Sequence, residues 1–328
     1  MAPYYDGLLA FLFRQFFYTI PDAPPVELHG KSVLLTGANS GVGFCLALEL
    51  ASRGAKVLAA VRSVPKGEAA KQKILEQVPT AQVEVRECDL ASFDSVKAFV
   101  NQISQEFKTF DLVILNAGVW CSQWMASADG FDLSLQVNTL SNALLAMLIL
   151  PHLRYKHGKP RIVFVTSEGH AMVPTSFMQH DSILNTFKQK PQSFDHYTHY
   201  YTSKLFGLLW ALALSRRIDP EKLSVVLASP GLCKSDLFRN VRSAPTDLLA
   251  NCFARSCGEG ARMIMIASVA ELAENSGASY YSQGSQVPVS RFSSSSEGVS
   301  CQERLWEEVS STLEQVDPDI ETYLRRAH

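Results

Sequence analysis

The chain has 328 residues, of which 47% are apolar and 19% are charged, and its net charge is −2. This composition can form a buried core and excludes a globally disordered chain. The small negative charge does not provide the basic surface that nucleic-acid binding requires, so we expect no nucleic-acid partner. The seven cysteines are an odd number without paired short spacings, which indicates reduced thiols in an intracellular protein rather than a disulfide scaffold or a zinc site.

The first predicted element is an amphipathic helix over residues 8–20, ended by Pro21. Its apolar face carries Leu9, Leu12, Phe13, Phe16, Phe17 and Ile20. Its opposite, polar face carries Arg14, Gln15, Tyr18, Thr19 and Asp22. The segment is shorter than the ~20 apolar residues of a membrane span, and it lacks the basic region and cleavage site of a signal peptide. Two interpretations stay open: packing over an apolar groove of this domain or a partner subunit, or peripheral membrane contact.

A proline-rich linker follows, so residues 1–29 form an N-terminal segment and residues 30–328 form one domain. In that domain, short apolar runs alternate with amphipathic segments. Strands are predicted at 32–36, 56–61, 82–88, 111–116, 161–167 and 223–229, and helices near 42–53, 66–77, 92–106, 131–154 and 197–216. This alternation predicts a single doubly wound α/β domain of the Rossmann type, with a parallel sheet, helices on both faces and a ligand site beyond the carboxyl ends of the strands.

The C-terminal third has fewer clear signals. One helix is predicted around residues 301–325. The serine-rich stretch at 290–298 is predicted to be a mobile surface loop because its composition is of low complexity.

The first predicted strand runs directly into TGANSGVG, residues 36–43. Glycines at 37, 41 and 43 permit a tight turn and let backbone N–H groups approach a pyrophosphate at the start of the next helix. The pattern stands in the strand–turn–helix context that a dinucleotide site requires. It therefore indicates a dinucleotide cofactor.

Several further motifs follow in order: CDL at 88–90, LNAG at 115–118, QVNTL at 136–140, VTS ending at Ser167, YYTSK at 200–204 and PG at 230–231. With TGANSGVG, they make residues 30–285 resemble the short-chain dehydrogenase/reductase family. The long segment between Ser167 and Tyr200 resembles the retinol-dehydrogenase-like branch. The N-terminal FLFRQFFYTIP resembles filamentous-fungal members, many of which serve secondary-metabolite pathways.

The resemblance implies four catalytic residues: Asn138, Ser167, Tyr200 and Lys204. Tyr200 would donate a proton to a carbonyl oxygen that Ser167 holds, while Lys204 and Asn138 would return the proton through water. A phenol ordinarily titrates near ~10, and a cation one helical turn away, together with the positive nicotinamide of the oxidised complex, is expected to lower that pKa. Tyr201 falls on a position that the family leaves variable, so we expect it to pack.

The end of the second strand predicts NADP(H) rather than NAD, because no acidic residue stands there and Arg62 follows directly, with Lys66 close behind. By resemblance, the cofactor-binding residues are Gly37, Asn39, Ser40, Gly41, Val42, Gly43, Arg62, Lys66, Asp89, Leu90, Asn116, Ala117, Gly118, Tyr200, Lys204, Pro230, Gly231, Leu232 and Ser235. No metal site is expected, and we interpret the histidines at 170, 180, 196 and 199 as loop or helix-cap residues.

A substrate lid is expected over residues 232–256. An apolar site for a hydrophobic ketone, aldehyde or alcohol is indicated by Leu237, Phe238, Leu248, Leu249 and Phe253, with Trp120, Trp124 and Phe177. The favoured hypothesis is an NADP(H)-dependent carbonyl reductase or alcohol dehydrogenase, cytoplasmic or peripherally membrane-associated. The alternatives are a catalytically silent NADP-binding regulator, a redox-neutral dehydratase or epimerase, and another nucleotide-binding α/β protein such as a methyltransferase. Family members often pair, so the resemblance also implies a homo-oligomer.

Overall fold

A computed structural model describes residues 7–107, 109–155, 158–174, 180, 182–237, 241, 253–272 and 277–326. Its strands are β1 (Ser32–Thr36), β2 (Lys56–Val61), β3 (Gln82–Glu87), β4 (Leu112–Leu115), β5 (Arg161–Val165), β6 (Ser224–Ser229), β7 (Ser279–Ser282) and β8 (Ser285–Gln286). The helices that precede β5 are α1 (Leu8–Phe17), α2 (Gly41–Ser52), α3 (Val64–Gln77), α4 (Phe93–Glu106) and α5, which consists of Leu133–Leu135, a π-helical turn Gln136–Leu140 and Ser141–Ile149. The later helices are α6 (His196–Ser215), α7 (Cys257–Val269), α8 (Arg291–Ser294), α9 (Ser296–Val316) and α10 (Ile320–Arg326).

The strands form a single sheet in the order β3-β2-β1-β4-β5-β6-β7-β8. The first seven are parallel, and β8 pairs with β7 in the antiparallel sense. The chain order reverses between β1 and β4, where the crossover helices change sides. The prediction of a doubly wound α/β fold is confirmed, and the switch point lies between the ends of β1 and β4.

Both faces of the central strands are buried, which explains their nearly continuous apolar sequences. Neighbouring residues of β1 belong to different cores: Leu34 packs into the cluster that contains α4, α5 and α6, whereas Leu35 packs into the cluster of α2 and α7. The strands therefore anchor two helical layers at once. Their carboxyl ends are fixed in position on the same edge of the sheet.

The helix that spans Leu133–His152 is apolar along its whole length and would by length and composition suit a membrane span. In the fold, 94% of its most apolar window is buried between the sheet and other helices. Its apolarity is that of a core helix.

The C-terminal third differs from the sequence-based predictions. Strands β7 and β8 and helix α7 were not predicted. The serine-rich stretch is not a surface loop, because Ser290 caps α8 by accepting a hydrogen bond from the Ser293 N–H and Ser295 caps α9 in the same way. Serine hydroxyls satisfy the free N–H groups of helix starts, so the serine run marks two helix N-termini. The predicted helix over 301–325 is two helices, with Pro318 in the break between them.

Helix α1 packs on its own domain, and the predicted polar face contributes its most deeply buried side chains. Arg14 and Gln15 are 4% and 5% exposed. Of the predicted apolar face, the rings of Phe13, Phe16 and Phe17 are 58–67% exposed, whereas Leu12 is half-buried and Ile20 is buried. The apolar periodicity identified the helix correctly but not the burial of Arg14 and Gln15, and peripheral membrane contact stays a prediction.

Candidate active site

The turn between β1 and α2 brings three backbone segments into close contact. A Cβ atom at Gly43 would lie 2.1 Å from the carbonyl oxygen of Gly37 and 2.7 Å from Nδ2 of Asn116. Gly41 has a φ of +56°, a conformation that residues with a Cβ atom rarely adopt. This turn requires glycine at both positions, which leaves α2 without a side chain of its own at 41 and 43.

The end of β4 is held against the end of β1. Asn116 Nδ2 donates to the carbonyl oxygen of Thr36 at 2.9 Å, and the N–H of Ala117 donates to Thr36 Oγ1 at 2.9 Å. These bonds fix the segment that the sequence predicts to lie under the cofactor. Gly118 follows, and a Cβ atom there would lie 3.0 Å from Asn138 Oδ1 and 3.1 Å from Lys204 Nζ.

The end of the site beside β2 carries positive charge. Arg62 and Lys66 are both exposed and both line the cavity at the end of β2. Within the described ranges, neither makes an ion pair with a carboxylate. Asp89 is on the same wall, where its Oδ1 accepts a hydrogen bond from the Ala91 N–H at 3.0 Å.

Helix α6 places Tyr200 and Lys204 one turn apart. The phenol of Tyr200 stacks on the indole of Trp120, with ring centroids 4.3 Å apart and an interplanar angle of 3°. Trp120 is fixed in turn, since its Nε1 donates to Nδ1 and to the carbonyl oxygen of His196, both at 3.1 Å. The stacking leaves the phenol little rotational freedom.

Lys204 is buried behind Tyr200. Its ammonium group donates to the carbonyl oxygen of Val165 at 3.0 Å, which ties α6 to the end of β5. Burial disfavours the charged form and lowers the pKa of Lys204 to about 8.

Ser167 is the N-cap of a 3₁₀ turn, and its Oγ accepts a hydrogen bond from the Gly169 N–H at 3.1 Å. A hydrogen bond between Ser167 and Tyr200 favours the phenolate. Burial is the larger effect, however, and it raises the pKa of Tyr200 above its ordinary value, with Tyr201 adding to the rise. The prediction that Lys204 and an oxidised nicotinamide together lower this pKa stays a prediction.

Asn138 lies in the π-helical turn of α5, a geometry that is frequent at functional sites. Its Nδ2 donates to the carbonyl oxygen of Val119 at 2.9 Å and to Ser203 Oγ at 2.8 Å, while its Oδ1 accepts from the Val119 N–H at 2.9 Å. Both N–H groups are thus occupied. Asn138 joins the segment after β4 to α6, and its part in a proton relay stays a prediction.

Tyr201 lies over Gly169, since a Cβ atom on that glycine would come within 2.2 Å of the Tyr201 ring. It therefore packs, as predicted, and also lines the cavity. Burial raises its pKa to about 12.

Most of these groups meet in one cavity of about 400 Å³. Every predicted cofactor-binding residue lines it, as do three of the four predicted catalytic residues; Asn138 lies behind the wall. Of the residues predicted for the apolar site, Trp120 and Leu237 line the cavity, and Trp124 and Phe253 do not. The others, Phe177, Phe238, Leu248 and Leu249, lie outside the described residues. Sequence reasoning missed the apolar wall formed by Phe11, Leu12, Met172, Tyr197 and Val241.

The histidines of this region make structural contacts. His170 links the Ser167 carbonyl oxygen, 2.7 Å from its Nδ1, to the Ser290 N–H, which donates to its Nε2. In the part of the chain that the structure describes, no three His, Cys, Asp or Glu side chains could share a metal ion.

The cavity fits a nicotinamide dinucleotide. The close approach at Gly43 provides a backbone cradle without side chains at the start of α2, where a pyrophosphate is favoured. Arg62 and Lys66 would meet the adenosine end, and Tyr200 and Lys204 would meet the nicotinamide end.

Comparisons with known proteins agree with this geometry. The family model for the short chain dehydrogenase matches residues 31–179. Short-chain dehydrogenase fogG from Aspergillus ruber is 36% identical over 276 residues, which cover 80% of this chain and 79% of fogG. Short chain dehydrogenase sol3 from Alternaria solani is 37% identical over 274 residues, which cover 82% and 95% of the two chains.

Solved structures share the fold. An uncharacterized protein from Mycobacterium paratuberculosis aligns with a TM-score of 0.68 and 28% identity, over 91% of this chain and 97% of its own. A short chain dehydrogenase from Burkholderia cenocepacia, solved in complex with NADP, aligns with a TM-score of 0.56 and 22% identity, over 73% and 90% of the two chains.

The prediction of a short-chain dehydrogenase/reductase similar to filamentous-fungal members is confirmed by these relatives, whereas the retinol-dehydrogenase-like branch stays a prediction. The chain belongs to the short-chain dehydrogenase/reductase family, and it is therefore an oxidoreductase that uses a nicotinamide cofactor and a small-molecule substrate.

Proposed function

We propose that this chain is an NADP(H)-dependent reductase of hydrophobic ketones or aldehydes. One observation carries the proposal: a single cavity has Ser167, Tyr200 and Lys204 at one end and Arg62 and Lys66 at the other. An acid–base group and a phosphate-binding group at opposite ends suit a phosphorylated dinucleotide with its reactive ring beside the acid.

A nicotinamide held by Tyr200 and Lys204 would supply a hydride for the carbonyl carbon. Tyr200 gives its phenolic proton to the carbonyl oxygen, and the C=O double bond becomes an alcohol. The Ser167 hydroxyl donates a hydrogen bond to that oxygen as negative charge develops on it. Burial raises the pKa of Tyr200, so its phenol is protonated at neutral pH, as a proton donor has to be.

The preference for NADP(H) rests on Arg62 and Lys66. Both side chains are exposed at the end of β2 and free of carboxylate partners among the described residues, so both are available to a 2′-phosphate. An acidic side chain at that position would instead bind the ribose hydroxyls of NAD.

We propose an apolar substrate because the cavity walls near Tyr200 are apolar. Trp120, Tyr197, Tyr201, Leu237 and Val241 surround that end of the cavity. The similarity to dehydrogenases of filamentous fungi supports a polyketide- or terpenoid-like ketone in secondary metabolism. We also propose an intracellular location, which the free cysteines support, and a homo-oligomeric state, which the family resemblance supports.

The test is consumption of NADPH and of NADH with a panel of apolar ketones and aldehydes, for the wild type, Tyr200→Phe and Tyr201→Phe. We expect turnover with NADPH that Tyr200→Phe reduces by at least about 100-fold, the scale of a lost general acid. Tyr201→Phe keeps the ring that packs on Gly169 and should retain most activity. Cofactor binding without net NADPH consumption would instead indicate a silent binder or a redox-neutral enzyme, and a preference for NADH would contradict the role given to Arg62.

A further inference from the structure

Helix α1 is attached to the active site by a closed ring of buried side chains. Arg14 Nε donates to Oε2 of Glu168, the residue directly after Ser167, at 3.1 Å. The other oxygen of Glu168 accepts from Gln283 Nε2 at 2.6 Å. Arg255 Nη1 donates to Gln283 Oε1, and its Nη2 donates back to the carbonyl oxygen of Arg14 at 3.1 Å. All four side chains are less than 8% exposed.

One member of the ring lies in a tight hairpin turn. Gln283 and Gly284 form the two-residue connection between β7 and β8, and both have positive φ, +55° and +75°, as such a turn requires. The hairpin fixes the position from which the Gln283 side chain enters the ring. Both ends of the Gln283 side chain are bound, one by Glu168 and the other by Arg255. The ring thus attaches α1 to the domain through buried side chains whose polar groups are paired, unlike an incidental surface contact.

Arg255 also caps the C-terminus of α1. Its Nη2 lies 2.9 Å from the carbonyl oxygen of Tyr18 and 3.5 Å from that of Gln15. The last carbonyls of a helix have no partner within the helix, and a cation there also interacts favourably with the helix dipole. The hydrogen bonds from Arg255 to the last carbonyl oxygens therefore fix the orientation of α1.

Gln15 ties the same helix to the segment that follows β6. Its Nε2 donates to the carbonyl oxygens of Leu232, at 2.8 Å, and of Phe253, at 3.0 Å. The Leu232 N–H donates back to Gln15 Oε1 at 3.3 Å. One side chain thus satisfies both backbone groups of Leu232, a residue predicted to meet the nicotinamide amide, and reaches the carbonyl of Phe253 as well.

These attachments direct one face of α1 into the cavity. Phe11 and Leu12 precede Gln15 by four and three residues and so share its side of the helix. Both are half-buried and line the cavity together with Tyr200 and Leu232. Phe13, in contrast, is 58% exposed on the outer face.

We propose that helix α1 is a fixed wall of the substrate pocket and that Phe11 and Leu12 determine its specificity for extended apolar substrates. Arg14 and Gln15 act as positioning residues that hold this wall against Glu168 and Leu232. The inference rests on the proposed function, since the substrate it describes is that of the proposed reductase. It assigns the N-terminal segment to the active site, where the sequence indicated either a packing helix or a membrane contact.

The test compares Phe11→Ala and Leu12→Ala with Phe13→Ala, a matched change on the exposed face of the same helix. The value of kcat/KM is measured with NADPH for a homologous series of 2-alkanones, and the Kd of NADPH is measured by its fluorescence. We expect the two pocket variants to lose about tenfold in kcat/KM for long alkanones, mainly through KM. Short alkanones and NADPH should be little affected, and Phe13→Ala should match the wild type throughout. Equal behaviour of Leu12→Ala and Phe13→Ala, or a loss independent of alkanone length, would overturn the proposal.

A second arm does not depend on turnover. Binding of 1-anilinonaphthalene-8-sulfonate to the NADPH-saturated chain is titrated for the wild type, Leu12→Trp and Phe13→Trp. The larger ring at position 12 should fill the pocket and weaken binding of this probe by about tenfold, and the ring at position 13 should not. If the wild type reduced no ketone, the proposed function would be refuted. The probe measurement would still test whether α1 forms a wall of the pocket. Equal probe binding by the wild type, Leu12→Trp and Phe13→Trp would overturn that role of α1.

Discussion

Trp120 and Tyr200 form a parallel ring stack, with centroids 4.3 Å apart, at the reactive end of the cavity. The indole covers a face of the phenol and is itself held by His196. Because burial is what raises the pKa of Tyr200, Trp120 contributes to keeping the proposed acid protonated. This relationship leads to the first prediction.

Trp120→Ala should admit water to Tyr200 and lower its pKa toward the ordinary value. An acid must be protonated to act, so the alkaline limb of the pH profile of kcat/KM for reduction should move to lower pH. The reduction rate at neutral pH should fall about tenfold, since the phenol also loses its fixed orientation. Trp120→Phe retains a stacking ring and serves as the control. If the alkaline limb lay at the same pH in the wild type, Trp120→Ala and Trp120→Phe, Trp120 would not contribute to the raised pKa of Tyr200.

Gly43→Ala should weaken dinucleotide binding strongly. The added Cβ would lie 2.1 Å from a backbone oxygen, so the turn has to shift. A shift of this kind costs about 1–3 kcal/mol or more. Isothermal titration with NADPH measures the loss. Gly258→Ala, also in the first turn of a helix, is the control, because its Cβ would meet only Ser256 Oγ at 3.9 Å and binding should not change.

Arg62→Ala should weaken NADPH much more than NADH. A charge-assisted hydrogen bond contributes about 1.5–3 kcal/mol, so the Kd of NADPH should rise by roughly tenfold or more. The Kd of NADH should stay within about twofold, because NADH has no 2′-phosphate. Lys159→Ala removes an exposed cation outside the cavity wall and controls for the change in net charge. An equal loss for both cofactors would remove the basis for preferring NADP(H).

Lys204→Met should stabilise the fold at neutral pH while removing activity. The pKa of Lys204 is lowered from 10.5 to about 8, so between these values the unfolded chain binds more protons than the folded chain. The cost of burying the charge is therefore fully present below about pH 8 and is lost as the pH rises toward 10.5. Urea unfolding should show Lys204→Met to be more stable than wild type by on the order of 1–3 kcal/mol at pH 7, with a smaller difference at pH 10.

The control for this measurement is Lys222→Met, whose side chain is 49% exposed and pairs with Asp219 near the surface. It removes one lysine from the surface, so comparison with it separates the effect of the buried position from the loss of one positive charge. Tyrosines and cysteines that titrate between pH 7 and pH 10 are common to all three chains and cancel. If the free energy of unfolding of Lys204→Met differed from that of the wild type by the same amount at pH 7 and pH 10, burial would not destabilise the charged form of Lys204.

The sheet was largely readable from the sequence because its central strands are buried on both faces and therefore form uninterrupted apolar runs. β7, with the sequence SYYS, has no such run, and its burial depends on β6 beside it. Helix α7 had a readable signal that was not used. Ser256 and Glu259 form a capping box, a pattern visible as a serine followed three residues later by a glutamate.

The candidate site was predictable where motif spacing defines it, as for Tyr200 and Lys204 on one helix. The orientation of α1 was not predictable, because the partners of Arg14 and Gln15 lie 154 to 238 residues away and leave no local pattern. The high pKa of Tyr200 was missed for a similar reason. A lysine four residues on is visible in the sequence, whereas the aromatic ring that buries the phenol comes from position 120.

The attachment of α1 also has a consequence for the order of events on the ribosome. The helix is made before the domain it packs on, but Arg255 and Gln283, which complete its ring of contacts, are made more than two hundred residues later. The contacts of Arg14 with Glu168 and of Gln15 with Leu232 can form earlier, but the ring closes only when Arg255 and Gln283 have been made. The dinucleotide cradle, built from residues near the start of the domain, can therefore form well before the substrate pocket acquires its last wall.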